Sequence, residues 1–417
     1  MHFAPRGSTS CPPWPSPEDC LRHSLFRFIA ICAVVSLAGP GDIGARAQTA
    51  AFQTSAPNVI LIDADTHSTL LEKGADAPVT PASTAKLMTV EIVFREIAEG
   101  RLKLEDEFTV SENAWRTGGA MARGSSMFAA LNSRIKIEDL IRGLVIDSGN
   151  DAAIILAEGV AGTEQAFAQR MNQRATELGL THLSFRNAWG KDDPGQKVTP
   201  REMAMLADHV IKTYPDLYRY FSEKEFTWSK IKQQNRNPLL TMGIGADGLK
   251  TGNIDEASGF QIVASAVQNG QRLILAMYGM RNAKDRADEA RKILEWGFRS
   301  FETKPVFAAG DSVGAARLYG GATMDVPLVT DRDVRILVPR GATERLSARV
   351  VYEGPIPAPV EQGRELARLR IFRGQTLAVE LPLKAGESVP LGPLYRRAFD
   401  ASLELGRGLI QTYVFKR

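Results

Sequence analysis

Residues 58–63, Asn-Val-Ile-Leu-Ile-Asp, form a short apolar run, followed by a turn at Ala64–Ser68 and a return run from Thr69 to Glu72. A strand that is apolar at successive positions is buried on both faces. The next strand-like runs come only after residue 246. They are Gly248–Thr251, Gly259–Val267 and Arg272–Met280, and Asn269-Gly270 between the last two suits a tight hairpin. Helical patterns fill the interval: Ser83–Glu99 closed by Gly100, Ile137–Ile146, Asp151–Gly159, Glu164–Leu178 followed by Gly179, and Arg201–Tyr214. A further amphipathic helix, Lys284–Phe298, follows the last strand. The expectation is an α+β fold: an antiparallel sheet assembled from the two ends of this segment and covered by helices.

From Lys304 the pattern changes to short alternating runs, Val313–Tyr319, Val334–Val338, Leu346–Tyr352, Ala367–Phe372 and Thr376–Leu383, separated by Gly, Pro and charged turns. This predicts a small all-β domain over 304–391, after a first domain over 55–303. Before both, Arg22 and Arg27 precede the apolar run Phe28–Ala38, and Ala45-Arg46-Ala47 provides a small-residue cleavage pattern before Gln48. Residues 1–47 are therefore expected to be an export signal peptide. All three cysteines, Cys11, Cys20 and Cys32, lie within it. The exported chain would have no disulfide, no cysteine nucleophile and no Cys-ligated zinc. It keeps His67, His182 and His209, none in a zinc-hydrolase spacing. A net charge of +3 without a compact Lys/Arg run gives no reason to expect nucleic acid.

At the other end, a helical projection of Leu394–Val414 puts Tyr395, Phe399, Gly406, Leu409, Ile410 and Tyr413 on one side. Arg396, Arg397, Asp400, Glu404, Arg407 and Gln411 lie opposite. This predicts that 392–417 is an interfacial helix lying on a membrane surface.

Three short motifs carry chemistry. In Ser83-Thr84-Ala85-Lys86, positions i and i+3 share a helix face, so Lys86 can reach the Ser83 hydroxyl. A neutral amine there can take the proton as Ser83 attacks a carbonyl. Burial and a second cation would each lower the Lys86 pKa. Ser229-Lys230-Ile231-Lys232 repeats the spacing, but in a polar stretch with no apolar helix behind it. In Ser148-Gly149-Asn150, between two helices, Ser148 can relay a proton and Asn150 can offer its amide to a substrate backbone and to Lys86. In Lys250-Thr251-Gly252, on a strand, the cation and hydroxyl suit a carboxylate, and the glycine lets another backbone approach closely. Arg116-Thr117-Gly118 is a weaker copy, in the wrong order relative to Ser148.

The three in this order match the signature of penicillin-binding proteins and class A β-lactamases. The segments at 81–89, 140–153, 178–187, 247–252 and 296–302 extend the likeness. The chain resembles the D-alanyl-D-alanine carboxypeptidases, the low-molecular-mass penicillin-binding proteins. That resemblance implies the penicillin-binding/β-lactamase-like transpeptidase fold and a serine peptidase acting on peptidoglycan stem peptides that end in D-Ala-D-Ala. Ser83 would be the nucleophile, with the backbone N–H groups of Ser83 and Asn253 as the oxyanion hole and Arg286 helping to hold the terminal carboxylate. No cofactor or metal is implied. β-Lactams would acylate Ser83, and the protein would act in the periplasm, attached to the inner membrane through its C-terminal helix.

One departure is that Asn253-Ile254 stands where a His or Ser/Thr pairing is expected, which bears on substrate preference. Three alternatives remain: a D,D-endopeptidase using the same chemistry on cross-links, a β-lactamase, and a non-catalytic wall-binding protein. A β-lactamase of class A needs an E-x-x-L-N glutamate. Glu177 heads Glu-Leu-Gly-Leu followed by Thr181, and is expected to be a surface residue.

Overall fold

The structure is a computed structural model, which describes residues 52–402 except 255–258, 343–344 and 375. The expected signal peptide lies outside the described residues, as does the part of the C-terminal helix beyond residue 402.

Five strands make the central sheet: β1 (Asn58–Asp63), β2 (Thr69–Lys73), β3 (Ala246–Ile254), β4 (Gly259–Gln268) and β5 (Gln271–Met280). Their order is β2-β1-β5-β4-β3, with every pair antiparallel. The opening hairpin is thus stitched to the closing strands by pairing Asn58–Asp63 with Leu273–Tyr278. Asn269 and Gly270 both have positive φ, 51° and 77°, the backbone a two-residue hairpin turn demands.

The apolar run of β1 serves two cores. Ile60 and Ile62 face α1 (Lys86–Ala98), α2 (Ile137–Val145), α3 (Asn150–Ala161), α4 (Glu164–Glu177) and α5 (Pro200–Thr213). Val59 and Leu61 face the other way, with Ala290, Ile293, Leu294 and Phe298 of α6 (Ala283–Ser300). Period-two alternation sends neighbouring residues to opposite faces, so an unbroken apolar run is what a two-sided sheet requires. Caps fix the helix starts: Thr163, Thr199 and Asn282 accept from Ala166 N, Glu202 N and Asp285 N. Gly179, at φ 74°, ends α4, and Leu180 N donates to Ala175 O.

From α6 the chain passes directly into a paired strand. β6 (Phe301–Phe307) runs across residues 303 and 304 and pairs with β9 (Val334–Pro339). The remaining strands are β7 (Ser312–Tyr319), β8 (Asp325–Val329), β10 (Leu346–Val351), β11 (Glu365–Arg373) and β12 (Thr376–Ala385). They form an antiparallel sheet in the order β10-β11-β12-β8-β7, with the two-residue strand Ile356–Pro357 added beside β7. Leu328, Ile336, Leu369 and Leu383 are fully buried in its separate core.

Residues 394–402 are helical. Asp400 Oδ2 accepts from Gly320 N at 2.8 Å, and Arg396 Nη1 donates to Ala322 O at 2.6 Å. The polar side of this helix therefore docks on the β-rich part, while Leu394, Tyr395 and Phe399 stay exposed. No helix among the described residues is long and apolar enough to cross a membrane.

Candidate active site

The helix expected from Ser83 begins differently. Ala82–Ala85 form a 3₁₀ turn, and the α-helix starts at Lys86. In a 3₁₀ turn residues i and i+3 eclipse, and Lys86 Nζ lies 3.0 Å from Ser83 Oγ. The turn is entered through Ala82 at φ 46°. Left-handed backbone is costly for a residue with a Cβ and is retained where surrounding contacts over-determine it. Here Gly190 presses against it: a Cβ at that glycine would fall 1.8 Å from Ala82 O.

Lys86 is fully buried. Besides Ser83 its amine meets two carbonyl oxygens, Asn150 Oδ1 at 2.7 Å and Trp189 O at 2.8 Å. Burial lowers its pKa to about 7, against the opposing pull of Asp151. An ammonium has three donors and no acceptor. The neutral amine instead has two N–H groups and one lone pair. The two carbonyls match the two N–H groups, which leaves the lone pair for the Ser83 hydroxyl.

Ser148 lies in the turn between α2 and α3 at φ 60°. Its Oγ accepts from Lys250 Nζ at 2.6 Å. Lys250, also buried, has its pKa driven well below the usual value, first by burial and then by Lys86, Arg236 and Arg286. Asp151 anchors the turn from beneath: its carboxylate accepts from Ser126 Oγ and from the backbone N–H groups of Met127, Ala129 and Ala152. Gly252 brings β3 against the Ser83 turn, since a Cβ there would stand 3.2 Å from Ser83 N.

These groups open onto a cleft of about 710 Å³ whose walls include Ser83, Ser148, Asn150, Thr251, Asn253 and Arg286. Arg286 is buried, lies over the Phe260 ring, and its Nε finds no hydrogen-bond partner among the described residues. Burial lowers its pKa to about 10, so it stays charged at neutral pH. The structure thus brings together Ser83, Lys86, Ser148, Asn150, Lys250, Thr251, Gly252, Asn253 and Arg286.

The look-alike motifs go elsewhere. Ser229 and Lys230 form an exposed hairpin turn with positive φ, and Lys232 pairs with Glu225. Arg116-Thr117-Gly118 sits in a short π-helical turn. Glu177 pairs on the surface with Arg95 and Arg174, away from Ser83.

Sequence reasoning missed three contributors. The first is the Trp189 carbonyl, presented by a loop in which Asn187 Oδ1 accepts from Gly190 N and Lys191 N. A backbone carbonyl has no residue signature, although Asn187 and the left-handed Gly190 mark the turn. The second is Arg236, which joins two motifs. Its N and Nε donate to Ile146 O and Asp147 O, and its own carbonyl accepts from Thr251 Oγ1. The third is Asp147, fully buried beside Ser148, with neither carboxyl oxygen hydrogen-bonded among the described residues. Burial pushes its pKa up to about 7.

Comparison with known proteins gives the family of the chain. A family model described as D-alanyl-D-alanine carboxypeptidase matches residues 45–282, and one described as Penicillin-binding protein 5, C-terminal domain, matches 301–391. The chain is 36% identical over 381 residues to D-alanyl-D-alanine carboxypeptidase DacC of Escherichia coli, covering 90% of this chain and 95% of that protein. It is 29% identical to DacF of Bacillus subtilis, covering 82% of this chain and 88% of that one. Among solved structures, penicillin binding protein 5 from Haemophilus influenzae superposes with a TM-score of 0.76 at 34% identity, over 81% of this chain and 98% of that one. The chain belongs to the D-alanyl-D-alanine carboxypeptidase family, and its α+β domain has the penicillin-binding fold. Its activity is that of a serine-type D-Ala-D-Ala carboxypeptidase.

Proposed function

We propose that Ser83 is the nucleophile that removes the terminal D-alanine from peptidoglycan stem peptides, with Lys86 as its base. The observation that carries this is the set of three partners around Lys86 Nζ, which fits a neutral amine accepting from the Ser83 hydroxyl. The Ser83 proton passes to Lys86 Nζ as Oγ bonds to the penultimate D-Ala carbonyl carbon. The backbone N–H groups of Ser83 and Asn253 stabilise the oxyanion. The C–N bond then breaks, and the leaving amine takes a proton through Ser148, which Lys250 holds. Water next adds to the ester and returns the proton to Ser83. Asn150 positions Lys86 and the substrate amide, Gly252 admits the substrate backbone, and Lys250, Thr251 and Arg286 hold the terminal carboxylate. β-Lactams acylate the same hydroxyl.

We also propose the division into a catalytic domain over 55–303, a β-rich domain over 304–391 and an anchor over 392–417. After loss of residues 1–47 the protein works in the periplasm, with its C-terminal helix on the outer face of the inner membrane. Support for the anchor comes from the exposed Leu394, Tyr395 and Phe399 opposite the docked Asp400 and Arg396.

The test is free D-alanine release from diacetyl-Lys-D-Ala-D-Ala by the wild type and by Ser83→Ala. Release by the wild type alone is expected. Equal release by both, or none by the wild type, contradicts the proposal.

A further inference from the structure

A second cavity, of about 250 Å³, lies where the central sheet meets the β-rich part. One wall is the β4–β5 hairpin, with Gln268, Asn269 and Gln271. The other is β6 and β9, with Glu302, Arg335 and, just past β9, Arg340. Junctions between two packed parts of a chain are common places for a ligand. The catalytic scheme does not use this one. Phe260, near one end of β4, lines the catalytic cleft, and Gln268, at the other end, lines the cavity. At the rise of an antiparallel strand they stand roughly 25 Å apart.

Both guanidinium groups already have a carboxylate. Arg335 Nη1 lies 3.4 Å from Asp65 Oδ2, and Arg340 Nη1 lies 3.3 Å from Glu302 Oε2. An anion entering here would compete with those carboxylates, and a cation with the guanidiniums, so the cavity favours a neutral guest. What it has to spare is hydrogen-bonding capacity of both kinds. A guanidinium has five N–H groups, and beyond its ion pair Arg340 commits only Nε, to Phe298 O at 3.1 Å. Gln268 Nε2 donates to Ile244 O and Gln271 Nε2 to Asp63 Oδ2, while neither Oε1 accepts a hydrogen bond among the described residues. The Asn269 amide has no side-chain partner there either. Phe298, almost fully buried, adds an apolar floor. Spare donors and acceptors around an apolar floor suit a ring that carries hydroxyls on its rim and C–H groups on its face. That is the chemistry of a sugar, and the volume holds one sugar unit.

We propose that this junction binds a sugar unit of a glycan strand, with Arg335 and Arg340 donating to its oxygens and Gln268, Asn269 and Gln271 meeting its hydroxyls from the hairpin. The identity of the glycan rests on the carboxypeptidase reading above, since the stem peptides that the cleft trims hang from such a strand. A sugar held here touches the central sheet and the β-rich part together. It ties the enzyme to the polymer at a point remote from Ser83, and so keeps it on one strand between successive stem peptides. Free peptides do not sense the cavity.

The experiment measures binding of the full chain to peptidoglycan glycan strands from which an amidase has removed the peptides, so that nothing is left for the catalytic cleft to hold. The wild type is expected to bind. An Arg335→Ala/Arg340→Ala double variant should bind at least about fivefold more weakly, because it loses several hydrogen bonds that each contribute a few-fold. Asn269→Gly removes one amide and keeps the hairpin turn, since glycine adopts the left-handed backbone at no steric cost, and should weaken binding about twofold. Both variants should release D-alanine from diacetyl-Lys-D-Ala-D-Ala within about twofold of the wild-type rate, as expected of surface changes away from the cleft. Absence of wild-type binding to the stripped strands, or binding equally tight in both variants, would overturn the glycan site and leave the carboxypeptidase reading standing. Failure of the wild type to release D-alanine would overturn that reading, and with it the choice of glycan.

Discussion

The catalytic region and the β-rich region are built from the same kinds of residue and treat charge in opposite ways. Around the cleft, Lys86, Asp147, Lys250 and Arg286 are buried with no ion pair among the described residues, and the Asp147 carboxyl and Arg286 Nε find no hydrogen-bond partner there. In the described part of the β-rich region the buried polar side chain is Thr330, and charges meet on the surface, as in Arg370 with Glu380 at 2.9 Å and Lys384 with Asp331 at 2.7 Å. Burying an ion without a full set of partners is costly. A chain that confines this cost to one corner, and there shifts two lysines toward neutrality, has that corner selected for chemistry. The β-rich region follows ordinary packing rules, which fits a supporting role.

The sharpest way to break this contrast is at the proposed nucleophile, Ser83. Ser83→Ala is expected to lower D-alanine release by at least about a thousandfold while leaving the melting temperature nearly unchanged. Measuring both on the same preparation separates chemistry from folding.

Next in size is the dependence on Lys86. In the proposed scheme Lys86 acts as a neutral amine, and its pKa is lowered to about 7, so kcat/KM is expected to rise as pH increases through about 7. A pH–rate profile checks this. Lys86→Arg should flatten the limb and remove activity at every pH, since a guanidinium stays charged.

The third prediction concerns stability at the same corner. The Asp147 carboxyl is raised from 3.8 to about 7 on folding. For an acid whose folded pKa is raised, the protonated form is favoured by the fold, so stability falls as pH rises from about 4 to about 7. Asp147→Asn removes that loss and is expected to stabilise the protein at pH 8 by roughly 2–4 kcal/mol, with little gain at pH 4. Denaturant unfolding at the two pH values measures the difference.

In the β-rich region the same scale of stability change should leave catalysis alone. Leu369 is fully buried there, and Leu369→Ala is expected to cost about 2–5 kcal/mol. Turnover of a soluble peptide below the new melting temperature should stay within about twofold. Smallest of all, Arg370→Ala removes an exposed pair with Glu380 and should cost less than about 1 kcal/mol.

How much of this was legible in the sequence depended on the kind of signal. The sheet was readable because strand burial leaves a period: β1, β4 and β5 stand within a residue or so of the expected runs, and the Asn269-Gly270 turn has the backbone its sequence demands. The strands β6 and β8 carry Pro305 and Pro327, which weaken a strand pattern, and neither was anticipated. The motifs identified side chains correctly as neighbours, but not the turn that joins Ser83 to Lys86. A 3₁₀ turn and an α-helix place i and i+3 on one side alike, and only the left-handed Ala82 and the pressing Gly190 distinguish them. Contributions through backbone atoms, such as the Trp189 carbonyl, and through a single residue outside any motif, such as Asp147, leave no pattern at all.

The account turns on Ser83 forming the covalent intermediate. The most direct measurement is incubation with benzylpenicillin followed by intact mass and peptide mapping of the adduct. The account predicts one penicilloyl group on the peptide that contains Ser83 and none on Ser83→Ala. An adduct mapped to another residue, or one that persists on the variant, would contradict it.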